Sequence, residues 1–258
     1  MIKKALLQYN FFLKLFVSFL ILLLFEGFFH FYYYKISQKI NFIPLKDQTG
    51  YNSLIWSENG LVELLQVIFL LFSLIFFVKF IKKNFNNINV IIKIFSILYL
   101  LGIFYYFFEE ISWGQHLFGW STPQFFSNFN HQNETNIHNI SSLFNELPRN
   151  LLLIWCTLSF IFVKVLKSKY FIYKKLILPS VNLKFISLLI LMFFVPDLLI
   201  DKLDIAPGHP AKNDKEIFLN IFFEVISFNF IRLSELQELL FNFYILCHSY
   251  YLYKFKFS

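Results

Sequence analysis

Six long apolar runs dominate the chain, and no other feature constrains its fold as much. They are Phe12–Tyr34, Gly60–Phe80, Val90–Phe108, Asn150–Leu166, Leu183–Ile200 and Ser234–Tyr253. Each approaches the roughly 20 residues that an α-helix needs to cross a hydrocarbon core about 30 Å thick. Inside hydrocarbon every backbone N–H and C=O needs an internal partner, and a helix supplies one for each. The pattern predicts an all-α fold: a polytopic integral membrane helix bundle of about six transmembrane helices. Of the 258 residues, 57% are hydrophobic and 15% charged; a soluble domain is closer to half apolar and about a quarter charged. Six helices and their connections use the whole length, so a single transmembrane domain over residues 1–258 is expected. A further apolar stretch, Ile217–Ile231, carries Asn220, Glu224 and Asn229 and reads as an interfacial helix or an extension of the last span.

The net charge of +7 would suggest a nucleic-acid partner in a soluble protein. Here the basic residues flank the apolar runs, where they set orientation. Lys3, Lys4 and Lys14 lie at the first run; Lys79, Lys82, Lys83 and Lys93 bracket the second connection. Lys164, Lys167, Lys169, Lys174 and Lys175 flank the fourth, and Lys254 and Lys256 follow the last run. The other connections hold nearly all the acids. Cytoplasmic loops collect Lys and Arg, so both termini are expected in the cytoplasm, Asn86 and Lys169 inside and Asn133 outside. The implied partner is the lipid bilayer, not nucleic acid. The Phe, Ile, Asn, Tyr and Lys usage is that of an AT-rich genome, and a bacterial cytoplasmic membrane is the expected location. Cys156 and Cys247 lie within apolar runs and read as buried thiols rather than a disulfide.

The third connection, residues 109–149, has four Glu and one Arg and about 40 residues. That is long for a passive loop. With Trp113, Trp120 and several Phe, it reads as a structured extracytoplasmic lid lying on or dipping into the outer leaflet. Thr122-Pro123 reads as a helix N-cap followed by Pro at the first helical position, and Pro148 as the opening of the fourth span.

Ionisable groups within spans are costly, roughly 2.5–3.5 kcal/mol at a helix centre. Here they gather toward the outer side. Glu63, Glu235 and Glu238 fall at helix N-termini, where the dipole favours them; Ser234 and Gln237 have capping-box spacing. Glu26, Glu109, Glu110, Asp197 and Asp201 fall at C-termini, where it does not, so they need a partner. Glu26 and His30 share a helix face at i,i+4, as do Glu134 and His138 if that segment is helical. Glu/His pairs at such spacing can ligate a metal ion. The candidate catalytic residues are therefore Glu109, Glu110, Glu134 and His138. The candidate ligands of a divalent metal ion are Glu26, His30, Glu63, Glu110 and His138. Glu110 is expected to face inward more than Glu109, with the helix unwinding before Gly114.

The segment Glu109-Glu110-Ile111-Ser112-Trp113-Gly114-Gln115, followed by Asn130-x-Gln132-x-Glu134-x-Asn136-x-His138-Asn139, resembles a family of uncharacterised bacterial multi-span membrane proteins. Glu58-Asn59-Gly60 with Glu63, and Glu235 with Glu238, are similar to further features of that family. The resemblance implies a membrane bundle and no stated activity. The family pattern has Arg after Gln115; His116 here departs from it, which weakens His116 as a ligand and suits a partner for the Glu pair. A fainter similarity links the acidic motif to the alkaline ceramidase superfamily of zinc-dependent amide hydrolases, an analogy of chemistry only, because the last span has only His248.

Three functions stay open at this point. One is a metal-dependent hydrolase or transferase acting on a lipid-like substrate at the outer side, with metal-activated water and a Glu as proton shuttle. Another is a non-catalytic membrane assembly or sensing protein with a polar lid. The third is a proton- or cation-coupled transporter, disfavoured by the scarcity of polar residues in the inner halves of the spans and the absence of repeats.

Overall fold

The computed structural model describes residues 13–28, 55, 60–129, 134–137, 140–165, 183–203 and 233–254. Among them the chain is all-α, with no strand. Helix α1 covers residues 13–28. It is followed by α2 (Leu61–Asn84), α3 (Val90–Glu110), α4 (Gln115–Phe118), α5 (Gln124–Phe129), α6 (Ser142–Val165), α7 (Lys184–Leu203) and α8 (Leu233–Lys254). Residues 29–54, 130–133, 166–182 and 204–232, which carry His30, Asn133, Lys169 and the 217–231 stretch, lie outside the described residues, as does His138.

The chain divides into two compact units. The first combines Met1–Val62 with Val195–Leu236. Within it, α1 buries Phe16, Leu20 and Leu23, an i, i+4, i+7 stripe on one helical face. The second combines Glu63–Phe194 with Gln237–Ser258 and holds the candidate site.

In the second unit α2 and α3 form a hairpin. A 3-10 turn at Phe85–Asn87 ends α2, and Asn89 opens α3 by accepting the Ile92 N–H at 3.0 Å, a cap that satisfies one of the first turn's orphan donors. Lys93 lies 4.7 Å over the Phe85 ring. The core joins Leu70, Phe77 and Phe80 of α2 to Ile92 and Ile103 of α3 and Ile245 and Leu252 of α8. Phe69 meets Phe243 and Phe76 meets Tyr250, so α2 and α8 run parallel in a constant register. The backbone carbonyl of Cys156 in α6 accepts both Ser187 Oγ at 2.7 Å and Tyr244 Oη at 3.2 Å, tying α6 to α7 and α8. Cys156 and Cys247 are buried free thiols.

Among the described residues, two helical segments are long and apolar enough to cross a membrane: Leu61–Asn87 and Val90–Glu110. Only 28% and 17% of their most apolar windows are buried within the protein. The core helix of a soluble protein would be mostly covered; α2 presents Leu64 and Leu71, and α3 Ile91, Ile94, Leu98 and Leu101, to their surroundings. An exposed apolar surface of this extent needs a non-aqueous neighbour. At 1.5 Å per residue, α3 is about 31 Å long, matching the hydrocarbon thickness.

Three local expectations are corrected. Pro148 does not open its helix: α6 begins at Ser142, and Pro148 sits inside it. The capping box expected of Ser234 and Gln237 does not open the last helix either, because Ser234 is already helical, following the helical Leu233. Pro123 is not the first residue of α5, which begins at Gln124; the Pro123 carbonyl accepts the Phe126 and Ser127 N–H groups, and the Thr122 hydroxyl accepts Gln115 Nε2 at 2.8 Å.

Candidate functional site

The site is built at the end of α3. The helix stops at Glu110, and the chain then takes left-handed conformations at Ser112 (φ 45°), Trp113 (φ 55°) and Gly114 (φ 93°). For the two non-glycine residues this costs roughly 1–2 kcal/mol each, so it requires compensation. Hydrogen bonds supply it. Glu109, 3% exposed, accepts Trp113 Nε1 at 2.6 Å and the Ile137 backbone N–H at 2.7 Å. Glu134 accepts Asn136 Nδ2 at 2.6 Å and Ser112 Oγ at 3.1 Å. Gln115 Oε1 accepts the Thr135 N–H at 2.6 Å, while its amide group donates to Thr122. Bonds to ionised acceptors are shorter and about twice as strong as neutral ones. The turn after α3 and the segment 134–137 are thereby fastened into a cap, and α6 starts five residues later beside the end of α3.

The cap explains why the motif contains those residue types. It also corrects the expectation about the Glu pair. Glu109 is the buried member and Glu110 only half-buried. Adjacent helical residues point about 100° apart; the turn at Ser112–Gly114 brings the 134–137 segment over Glu109, not over Glu110.

Beside the cap, a cavity of about 600 Å³ runs between α3, α6 and α8. Along α3 it touches Phe95, Leu98, Tyr99, Gly102, Tyr106 and Glu110, and along α6 Phe144, Leu147, Pro148, Leu151 and Trp155. Both sets recur at three- and four-residue intervals, so each helix offers one continuous stripe. One end holds Glu109, Glu110, Arg149 and Glu238. The Arg149 guanidinium hydrogen-bonds to Gln237 Oε1 and lies 5.2 Å over the Phe194 ring; Gln237 Nε2 donates to the Phe193 carbonyl at 3.0 Å. Farther along, the rings of Tyr99 and Trp155 lie 5.9 Å apart and both meet His248. The walls between are apolar.

Of the predicted catalytic residues, Glu109 and Glu110 reach the cavity, and Glu134 is engaged in the cap. His138 lies outside the described residues. Of the predicted metal ligands, Glu26 is half-buried on α1 in the first unit, Glu63 is half-buried in the first turn of α2, and Glu110 lines the cavity; His30 and His138 lie outside the described residues. Among the described residues, no group of three or more His, Cys, Asp or Glu side chains is placed to hold a metal ion. Arg149 and Gly102 are lining residues that the sequence reading misses, and Glu238, read there as a favoured acid at a helix N-terminus, also lines the cavity. Arg149 is one of only two Arg in a Lys-rich chain, and Gly102 interrupts an otherwise bulky run; both are usable signals.

Comparison of the chain with protein-family profiles, curated proteins and solved structures finds no match.

Proposed function

We propose that this chain is a multi-span membrane protein that binds a lipid-like amphiphile in the cavity between α3, α6 and α8. The carrying observation is the polarity of that cavity: apolar walls along most of its length, with every charged lining group at one end. Binding pockets for small molecules typically occupy about 300–1,000 Å³ and pair apolar walls with a few convergent polar groups. The cap beside the charged end fits the lid role expected of the third connection, on the outer side of a bacterial cytoplasmic membrane with both termini inside. The apolar, outward-facing surfaces of α2 and α3 support lipid as the surrounding medium.

The binding reading, rather than the hydrolase or transferase reading, is favoured by how the carboxylates are used. Both oxygens of Glu109 hold N–H donors, and Glu134 holds an amide and a hydroxyl. A group engaged as a fixed acceptor is poorly placed to relay protons. No catalytic role and no metal ion is proposed for either.

The test uses the full chain purified in mild detergent. Native mass spectrometry should find an amphiphile carried with the wild-type protein and absent from Gly102→Leu. Gly102 lines the cavity, and a Cβ there meets no atom within 4 Å, so a side chain can start from this position without a clash at its Cβ. Equal lipid retention by the two proteins, with equal thermal stability, would sink the proposal.

A further inference from the structure

We infer that the hydroxyls of Ser96, Tyr99 and Ser249 together hold one buried water molecule between α3 and α8, in the half of α3 away from the cap. The inference rests on these hydroxyls and not on the ligand proposed for the cavity. A buried serine or threonine inside a helix has a ready partner, the carbonyl four residues back. Ser73, Thr157 and Ser187 each use it, at 2.6, 2.6 and 3.2 Å. Ser96 and Ser249 are as deeply buried and do not: neither hydroxyl makes a hydrogen bond among the described residues. Both turn away from their own helices. The Tyr99 hydroxyl is enclosed as well and has no partner there either.

The three groups converge. Ser96 and Tyr99 are three residues apart and so share a face of α3. A long helical side chain leans back toward the helix N-terminus, which carries the Tyr99 hydroxyl toward Ser96. From α8, the His248 ring lies 5.7 Å from the Tyr99 ring. The next residue, Ser249, brings its side chain to the Tyr99 hydroxyl, but not in hydrogen-bonding geometry. One such group alone is only a cost to the fold. Three together meet the needs of a buried water, which makes about three hydrogen bonds to groups otherwise unsatisfied. Tyr99 also borders the cavity, so space for a molecule of that size lies beside it. The chemistry favours neutral water over an ion. The three partners are uncharged hydroxyls, and the titratable group acting on Tyr99 is the Cys156 thiol, not a carboxylate. At this depth in a span an ion is costly unless an opposite charge accompanies it.

Two measurements on the full-length protein in mild detergent test the site. In a high-resolution density map of the wild type, one isolated peak should lie within about 3 Å of all three hydroxyl oxygens. Direct contact among the hydroxyls, or no peak between them, overturns the inference. Thermal unfolding of Tyr99→Phe, Ser96→Ala and the double variant reads the same bridge. Loss of either partner should lower the unfolding temperature by about 2–4 °C. The double variant should fall by less than the sum of the two, because the water is lost only once. Tyr99→Phe removes one oxygen and nothing else, so a raised temperature would mean that the hydroxyl is bare. Additive losses would mean that Ser96 and Tyr99 share no partner. Either result overturns the inference, and neither touches the amphiphile reading, which stands or falls on lipid retention by Gly102→Leu.

Discussion

Glu109 and Glu110 are neighbours of the same type with different duties, and substitution separates them. Replacing Glu109 by Ala strands the Trp113 indole N–H and the Ile137 N–H, two donors otherwise held at 2.6 and 2.7 Å. A hydrogen bond to a charged acceptor is worth about 1.5–3 kcal/mol net. Glu109→Ala is therefore expected to destabilise by at least about 2 kcal/mol, and Glu110→Gln by less than about 0.5 kcal/mol. Thermal unfolding in detergent, followed by tryptophan fluorescence, measures both; equal losses would contradict the cap. Asn242 makes the opposite case. It is fully buried on α8, and neither of its amide atoms has a hydrogen-bond partner among the described residues. Leu has nearly the same shape and no polar atom to satisfy. Asn242→Leu is expected to raise the unfolding temperature, since an unsatisfied buried polar group costs about 1–3 kcal/mol; a lowered value would mean that Asn242 is satisfied by something such as a buried water.

Among elements, the turn after α3 is only half legible in the sequence. Ser112, Gly114, Gln115, Glu134 and Asn136 stand out because polar and glycine residues next to a span need a reason. Their pairing cannot be read, because it depends on where α3 stops: ending the helix one residue later would rotate each later side chain by about 100°. For that reason the sequence points to Glu110 as the inner residue, where the structure has Glu109. The three described glycines of this region rank themselves by their surroundings. At Gly114 a Cβ would lie 3.1 Å from Phe118 Cδ2 and 3.2 Å from Trp120 Cη2, with φ at +93°. At Gly119 φ is +68° but nothing lies within 4 Å. Gly102 is helical and open. Alanine should destabilise Gly114 most, cost about 1–2 kcal/mol at Gly119 from left-handed strain alone, and be neutral or stabilising by up to about 1 kcal/mol at Gly102, where helix propensity improves. Unfolding temperatures of the three single variants check the order; a Gly119 variant less stable than the Gly114 variant would contradict the close contact.

For the whole molecule, apolar run length foretells helices well: the run Val90–Phe108 corresponds to the helix Val90–Glu110, and Leu183–Ile200 to Lys184–Leu203. It fails where the helix outruns its apolar part, since α6 begins eight residues before the run starting at Asn150. The cavity is invisible to such reading, because a void belongs to no residue. Orientation rests on charge, and it can be tested within the second unit alone. The turn between α2 and α3 and the cap lie at opposite ends of α3, a helix about 31 Å long. Lys82 and Lys83 end α2 and Lys93 lies in the first turns of α3, so the turn should face the cytoplasm and the cap the outside. Asn86 and Asn128 are both exposed and suit single cysteine labels. The native thiols interfere little, since Cys156 and Cys247 are 0% and 7% exposed. In intact cells a membrane-impermeant maleimide is expected to label Asn128→Cys at once and Asn86→Cys only after permeabilisation. The reverse pattern would invert the topology and put the charged end of the cavity against the cytoplasm. Labelling of both sites in intact cells would mean that α3 does not cross a membrane at all.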